Sequence, residues 1–367
     1  MLARIEHGRH QGRLRMVWIG DSHTQADGWT DAVRKTLQSR FGNGGPGFVH
    51  VGWTTYGYRR AGVVLRTTGP WSLTPAGLVA VSRVDDGVMG LGGLRVVPRG
   101  GDAVASVMVD AKGLPGPGSW DLAVRFTQPD SSLVVRLDDQ EHRLTADPNT
   151  LGHIRHVALQ SKGSGGTLQV EQGWNKPQLL GVVVEAVDRP GIVLDTLGLN
   201  GARYRSALAW DEATWVAELA RREPNVVVFA FGSNESSDPK PNYEAHINHV
   251  KQLMGRVRKA APQTECLVFG PVDRGGARYE EIIEQLNTAQ ASAANDLGCA
   301  FWGGQRAMGG PGSMQQWATM TPPLGAGDRL HLTMRGYQTL GEMLVRDMLK
   351  GYDLGVVSPQ DAQTEQR

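Results

Sequence analysis

Cysteine is scarce: Cys266 and Cys299 are the only two among 367 residues. Two cysteines make neither a disulfide framework nor a zinc site. Each heads an apolar run. Buried free thiols are therefore the default expectation, with a single bridge open to them if the two runs are neighbouring strands. Charge of one sign is lacking as well. Lys and Arg total 38 against 37 Asp and Glu, and no block of like charge stands out. A phosphate-tracking surface needs such a block, so nucleic acid is not an expected partner. No apolar run is long enough to span a bilayer. The first fifteen residues are polar and basic, without the hydrophobic stretch of a secretory signal. The chain therefore reads as cytoplasmic, or as periplasmic or extracellular if it is a trimmed mature form.

Glycine is plentiful, at 48, and tryptophan too, at 10. Glycine-rich turns suit both a loop-built site and a strand-rich domain. Most of the tryptophans are expected in the core, although an exposed one would suit sugar stacking. A 40% hydrophobic and 20% charged composition permits a core of ordinary size. The length suggests about two domains.

Residues 14–19 form an apolar run that ends in Gly20-Asp21-Ser22-His23-Thr24. Residues 27–41 follow with Trp29, Val33 and Leu37 on one helical face. This unit is strand, tight turn, helix. Between 55 and 188 the pattern changes to short alternating runs at 63–66, 79–84, 94–97, 105–109, 122–126, 133–137, 154–159, 168–170 and 182–187. Turn residues separate them, as in a β-sandwich or jelly roll. After Pro190 strands are expected at 192–199, 226–231, 266–269 and 299–302, and helices at 210–222, 243–260, 279–297 and 333–350. The tail from Ser358 is polar and reads as disordered. The fold class is thus α/β, a three-layer α/β/α domain on a parallel sheet, with an inserted jelly-roll-like β-sandwich. The expected boundaries are 1–54 and 190–352 for the α/β domain, 55–189 for the insertion and 353–367 for the tail.

In open α/β sheets, ligands gather beyond the carboxyl ends of the strands. The polar residues expected there are Ser22, the stretch Gly198-Leu199-Asn200-Gly201, the stretch Gly232-Ser233-Asn234-Glu235, and Asp328-x-x-His331. Together they supply what acyl transfer needs. A serine hydroxyl becomes an effective nucleophile when a base takes its proton. Imidazole titrates near neutrality and can serve as that base, here His331. Asp328 is close enough in sequence to fix its tautomer. The amides of Ser22 and Gly201 and the side chain of Asn234 can face the oxyanion, each such donor being worth roughly 3–4 kcal/mol. Asp21 is expected to brace the turn.

Blander readings stand beside these. Ser22 could be a helix N-cap, but Asp27 competes for that role. Asn234 could be a turn or cap residue. His23 follows the nucleophile, and adjacent residues point apart, so a turn or substrate-edge place is expected for it. Asp85-Asp86 and Asp138-Asp139 look like metal pairs but fall in expected turns, where Asp is common. His246 and His249 share a helix without a third ligand and are expected at the surface. Neither a metal nor a cofactor is expected.

In order, Gly20-Asp21-Ser22, Gly201, Gly232-x-Asn234 and Asp328-x-x-His331 resemble the four signature blocks of the SGNH (GDSL-type) hydrolases. The resemblance spans 14–54 and 190–352, and the role of Gly201 rests on it more than on physics. Gly20-Asp-Ser-His-Thr-Gln25, Gly44-Gly-Pro-Gly-Phe48, Asn200-Gly-Ala202 and Gly309-Gly-Pro-Gly-Ser-Met314 look like the peptidoglycan O-acetylesterase branch. That branch is similar also in carrying a carbohydrate-binding-module-like β domain after the first block. The resemblance implies a serine esterase that removes O-acetyl groups from a cell-envelope glycan, an acetylated polysaccharide such as peptidoglycan. Glu235 departs from the aspartate common at its position and is expected to brace Asn234. Two alternatives use the same residues: acetyl transfer to a sugar acceptor, and a non-catalytic glycan-binding envelope protein. The oligomeric state is left open.

Overall fold

The computed structural model describes residues 12–54, 58–74, 84–187 and 189–353. The chain opens with β1 (Arg13–Gly20), a short helix α1 (Ser22–Gln25), α2 (Gly28–Phe41) and β2 (Gly47–Val49). Ten further strands follow: β3 (Val63–Thr68), β4 (Trp71–Thr74), β5 (Arg95–Pro98), β6 (Val104–Val109), β7 (Gly118–Arg125), β8 (Ser132–Leu137), β9 (Gln140–Thr145), β10 (Ile154–Ser161), β11 (Gly166–Trp174) and β12 (Gln178–Ala186). The rest alternates: β13 (Gly191–Gly198), α3 (Tyr204–Leu208), α4 (Glu212–Arg222), β14 (Val226–Ala230), α5 (Tyr243–Ala260), β15 (Glu265–Gly270), α6 (Ala277–Leu297), β16 (Ala300–Gly303), α7 (Gly304–Met308), α8 (Ser313–Thr319) and α9 (Met334–Asp353).

The parallel sheet has the order β13-β1-β14-β15-β16. The chain steps from β1 to one side, then crosses to the other, so the switch of strand order lies at β1. Successive β1 side chains enter opposite layers. Val17 and Ile19 join one core with Trp215 and Leu219 of α4 and with Val250 and Leu253 of α5. Met16 and Trp18 join the other, with Trp29 and Val33 of α2 and with Leu340 and Leu344 of α9. Helices on both faces make the expected three layers.

Helix ends follow local chemistry. The Asp211 side chain accepts from Thr214 N–H at 3.0 Å, and Asn242 from Ala245 N–H at 2.9 Å, so α4 and α5 begin on capped turns. Helix α4 stops at Glu223, in the left-handed region, just before Pro224.

The other two sheets are antiparallel, in the orders β10-β7-β12-β5-β4 and β3-β6-β11-β8-β9. Strand β2 adds to the first of them by pairing with Val182–Val184. The inward residues of both sheets, Trp120, Leu122, Val107 and Leu133 among them, share one core with Ile19 and Phe229 of the parallel sheet. Strands β4 and β9 had no sequence signal. The β9 sequence QEHRLT is mostly polar, and its pairing comes from a two-residue hairpin with β8 at Asp138-Asp139, where Asp138 has φ +53°. The run expected at 79–84 lies outside the described residues except for its last residue, as does the tail from Ser358.

The expectation of free thiols is corrected. Cys266 and Cys299 are disulfide-bonded, with Cα atoms 4.9 Å apart. The parallel register of Leu267 with Ala300 places their neighbours Cys266 and Cys299 side by side. Seven tryptophans are buried as expected, whereas Trp174 is 63% exposed. Among the described residues, no helix is long and apolar enough to cross a membrane.

Candidate active site

Strand β1 ends at Gly20 because a side chain there would collide with the next turn. A Cβ at this position would sit 2.2 Å from Thr24 Oγ1 and 2.7 Å from Ala230 O. Close approach, rather than an unusual φ, is what demands glycine. Asp21 then caps α1, its Oδ1 accepting from His23 N–H at 3.0 Å. Ser22 is the first residue of that helix and is half-buried. It leaves the capping to Asp21. At the head of α2, Asp27 makes no cap bond either. Its carboxylate instead accepts from Thr30 and Thr196 hydroxyls, Ala61 N–H, Arg34 and Arg60.

Ser22 Oγ lies 3.0 Å from His331 Nε2, and His331 Nδ1 lies 2.7 Å from Asp328 Oδ2. The other Asp328 oxygen accepts from the N–H groups of Leu330 and His331 at 3.0 and 2.9 Å. Partial burial pushes the Asp328 carboxyl up, but the bonds from His331 and Leu330 outweigh it and hold the group down at about 2. The carboxylate therefore stays charged over the whole neutral range. The side chains of His331 and Asp328 are open to solvent, at 36% and 52% exposure. Residues more than three hundred positions apart thus form one hydrogen-bonded chain.

Gly201 occupies the turn after β13 with φ +78°, a backbone that a side chain would strain. Two bonds tie this turn to the segment on either side of the serine: Leu199 N–H donates to Gly20 O at 3.1 Å, and Asn200 N–H to Gln25 Oε1 at 2.7 Å. Asn234 stands in the turn after β14, and its Nδ2 donates to Ala202 O at 3.0 Å. An amide NH₂ has two protons, so one still remains for another acceptor. Glu235 braces the neighbouring turn rather than Asn234 itself, since its Oε1 accepts from Tyr204 N–H at 3.1 Å. Burial pushes its carboxyl up to about 7, and burial raises that of Asp21 as well.

Two histidine expectations are corrected. His23 is at no substrate edge: it is buried, its ring stacked on Trp29 and its Nδ1 3.0 Å from Tyr337 Oη. Desolvation, then the neighbouring His331, lowers it to about 3, so it is neutral. His246 is buried too, 3.0 Å from Gln290 Nε2, because its helix face turns onto Tyr204. His249 is half-buried. The acidic pairs serve other ends. Asp85 and Asp86 form ion pairs with Arg95 and Arg125, and Asp138-Asp139 is the β8–β9 turn. Among the described residues, no group of three or more His, Cys, Asp or Glu could hold a metal ion.

The sequence reading missed Gln25, His23 with Tyr337, and Arg274, whose Nη1 donates to Ser236 and Ser237 hydroxyls at 2.9 and 2.8 Å. Only Gln25 and His23 had a signal, as members of the Gly20–Gln25 block.

Residues 163–339 match the GDSL-like Lipase/Acylhydrolase family. No curated protein matches the chain. The structure is similar to one described as "Peptidoglycan O-acetylesterase in action", with a TM-score of 0.76 and 23% identity, covering 95% of this chain and 94% of that one. At that identity the likeness establishes the fold. Family two carbohydrate esterases from Cellvibrio japonicus and Clostridium thermocellum also match, at 10% and 12% identity and TM-scores of 0.33. They cover 79% and 70% of this chain and 99% and 96% of their own, and are too distant to carry an argument.

Proposed function

Because the chain carries a GDSL-like lipase/acylhydrolase domain, and so is a hydrolase acting on ester bonds, we propose that it removes O-acetyl groups from a cell-envelope glycan, peptidoglycan first among them. The observation that carries this reading is the chain from Ser22 Oγ through His331 to Asp328, with links of 3.0 and 2.7 Å.

In this reading His331 Nε2 takes the Ser22 proton as Oγ attacks the acetyl carbonyl. Asp328 orients the ring and stabilises the imidazolium. The N–H groups of Ser22 and Gly201 and the free Asn234 amide proton stabilise the tetrahedral oxyanion. His331 returns its proton to the sugar oxygen, which leaves. Water, deprotonated by His331, then releases acetate from Ser22. No metal or cofactor enters these steps.

In this reading the α/β domain comprises 1–54 and 190–352 and the β-sandwich 55–189, with the tail following helix α9, which runs to Asp353. Disulfides persist in oxidising compartments, so the Cys266–Cys299 bridge supports a periplasmic or extracellular location. The likeness to a peptidoglycan O-acetylesterase supports the substrate. The test is acetate release from O-acetylated peptidoglycan by the wild type and by Ser22→Ala. Acetate release that survives the Ser22→Ala change removes the serine from the mechanism.

A further inference from the structure

Between the loops that hold Asp328 and Asn234 lies a group that the ester chemistry leaves unused. Arg274 stands in the loop after β15. Its neighbour Gly275 donates to Arg329 O at 2.9 Å, so this loop is fixed to the one that holds Asp328. In the other direction, Arg274 Nη1 reaches the hydroxyls of Ser236 and Ser237, just past Asn234. The guanidinium thus bridges the Asp328 and Asn234 loops at the rim. Its Cζ lies 3.7 Å from the centre of the Tyr279 ring. Arg278 flanks the same ring at 5.8 Å, and its Nη2 donates to Pro239 O at 3.3 Å.

Two arginines against one ring, with Arg329 nearby, is an arrangement in which like charges repel. Surface arginines usually relieve this with carboxylates. Among the described residues, none of these three forms an ion pair, and neither Nε nor Nη2 of Arg274 donates a hydrogen bond. Asp328 acts on Arg274 electrostatically, but its oxygens are taken up by His331 and Leu330. The fork is held at Nη1 and stacked on a ring, which pre-organises its remaining edge for a planar two-oxygen acceptor.

We propose that Arg274, with Arg278 and Arg329 beside it, binds a carboxylate of the substrate, so that the enzyme selects an acidic, peptide-substituted glycan over a neutral acetylated one. This rests on the ester-hydrolysing site proposed above and deepens it. A neutral polysaccharide offers nothing to pair with these cations, whereas a glycan carrying peptide stems offers carboxylates close to its sugars.

The experiment compares kcat/KM on O-acetylated glycan strands bearing peptide stems with the same strands after carbodiimide-driven amidation of their stem carboxylates, for wild type, Arg274→Gln and Arg274→Lys. Wild type is expected to prefer the strands with free carboxylates by about 10-fold, mostly through KM, the size of one charge-assisted bond. High salt should weaken that preference. Arg274→Gln should bring the ratio close to one, and Arg274→Lys should keep part of it. An equal loss on both substrates, or no preference in the wild type, overturns the proposal.

A second arm separates it from the substrate reading. N-acetylmuramyl dipeptide is expected to inhibit 4-nitrophenyl acetate hydrolysis competitively, more weakly in Arg274→Gln. If this inhibition occurs while neither strand is turned over, the anion site stands and the peptidoglycan substrate falls. If the dipeptide does not inhibit the wild type, the anion site falls.

Discussion

The imidazole of His23 lies 5.0 Å from that of His331, ring centre to ring centre, with Tyr337 holding its far side. His23 is one of three buried histidines pushed down by desolvation, His23 and His50 to about 3 and His246 to about 4. In the unfolded chain they titrate near 6.5. Between those values the unfolded state binds more protons, so stability falls as pH drops from 6.5 towards 3. Denaturant melts across that window should show this slope, and His50→Phe should flatten it. A slope unchanged in that variant would contradict the assignment.

His156 is expected to work in the opposite direction. Its ring sits between Asp121 of β7, at 3.2 Å, and Glu218 of α4, at 2.9 Å. Burial alone would lower it, but the bonds to the two acids raise it to about 9. A raised pKa contributes stability that is complete below 6.5 and is lost as pH rises through 9. Melts from pH 7 to 10 should fall in the wild type and stay flatter in His156→Gln.

Asp328→Asn keeps the shape of the side chain but no longer holds the tautomer. We expect kcat on 4-nitrophenyl acetate to fall by about 10³–10⁴-fold with an unchanged circular dichroism spectrum. Since Asp328 titrates at about 2, its protonation should not limit the rate above about pH 4. Activity close to wild type would refute its orienting role.

Asp27 is buried between Arg34 and Arg60, with ion pairs at 3.0 and 3.1 Å. Asp27→Asn leaves two buried guanidiniums short of a counter-charge, and should cost about 3–5 kcal/mol of stability. Urea denaturation measures this directly. A loss under about 1 kcal/mol would mean that water enters the cluster.

Much of this was legible because some signals are local. The spacing of Asp328 and His331 lets one carboxylate reach both the ring and the backbone of the histidine, and β1 and α5 follow from a short apolar run and an amphipathic period. What failed to show depends on tertiary neighbours. The burial of His23 and His246 comes from Trp29 and Tyr204, which lie elsewhere in sequence or on another element. The Cys266–Cys299 bond needed the register of β15 against β16. Arg274 looks like any surface arginine until Ser236, Ser237 and Tyr279 are seen around it. Strand β9 is polar and exists because its hairpin partner is buried.

Ile19 and Phe229 share their apolar surroundings with Trp120 and Leu122 of the antiparallel layers. Excising the sandwich would therefore bare apolar residues of this continuous core, leaving a sticky, wet wall instead of a smaller enzyme. Calorimetry should accordingly record a single endotherm for the intact chain, and a trimmed version should precipitate.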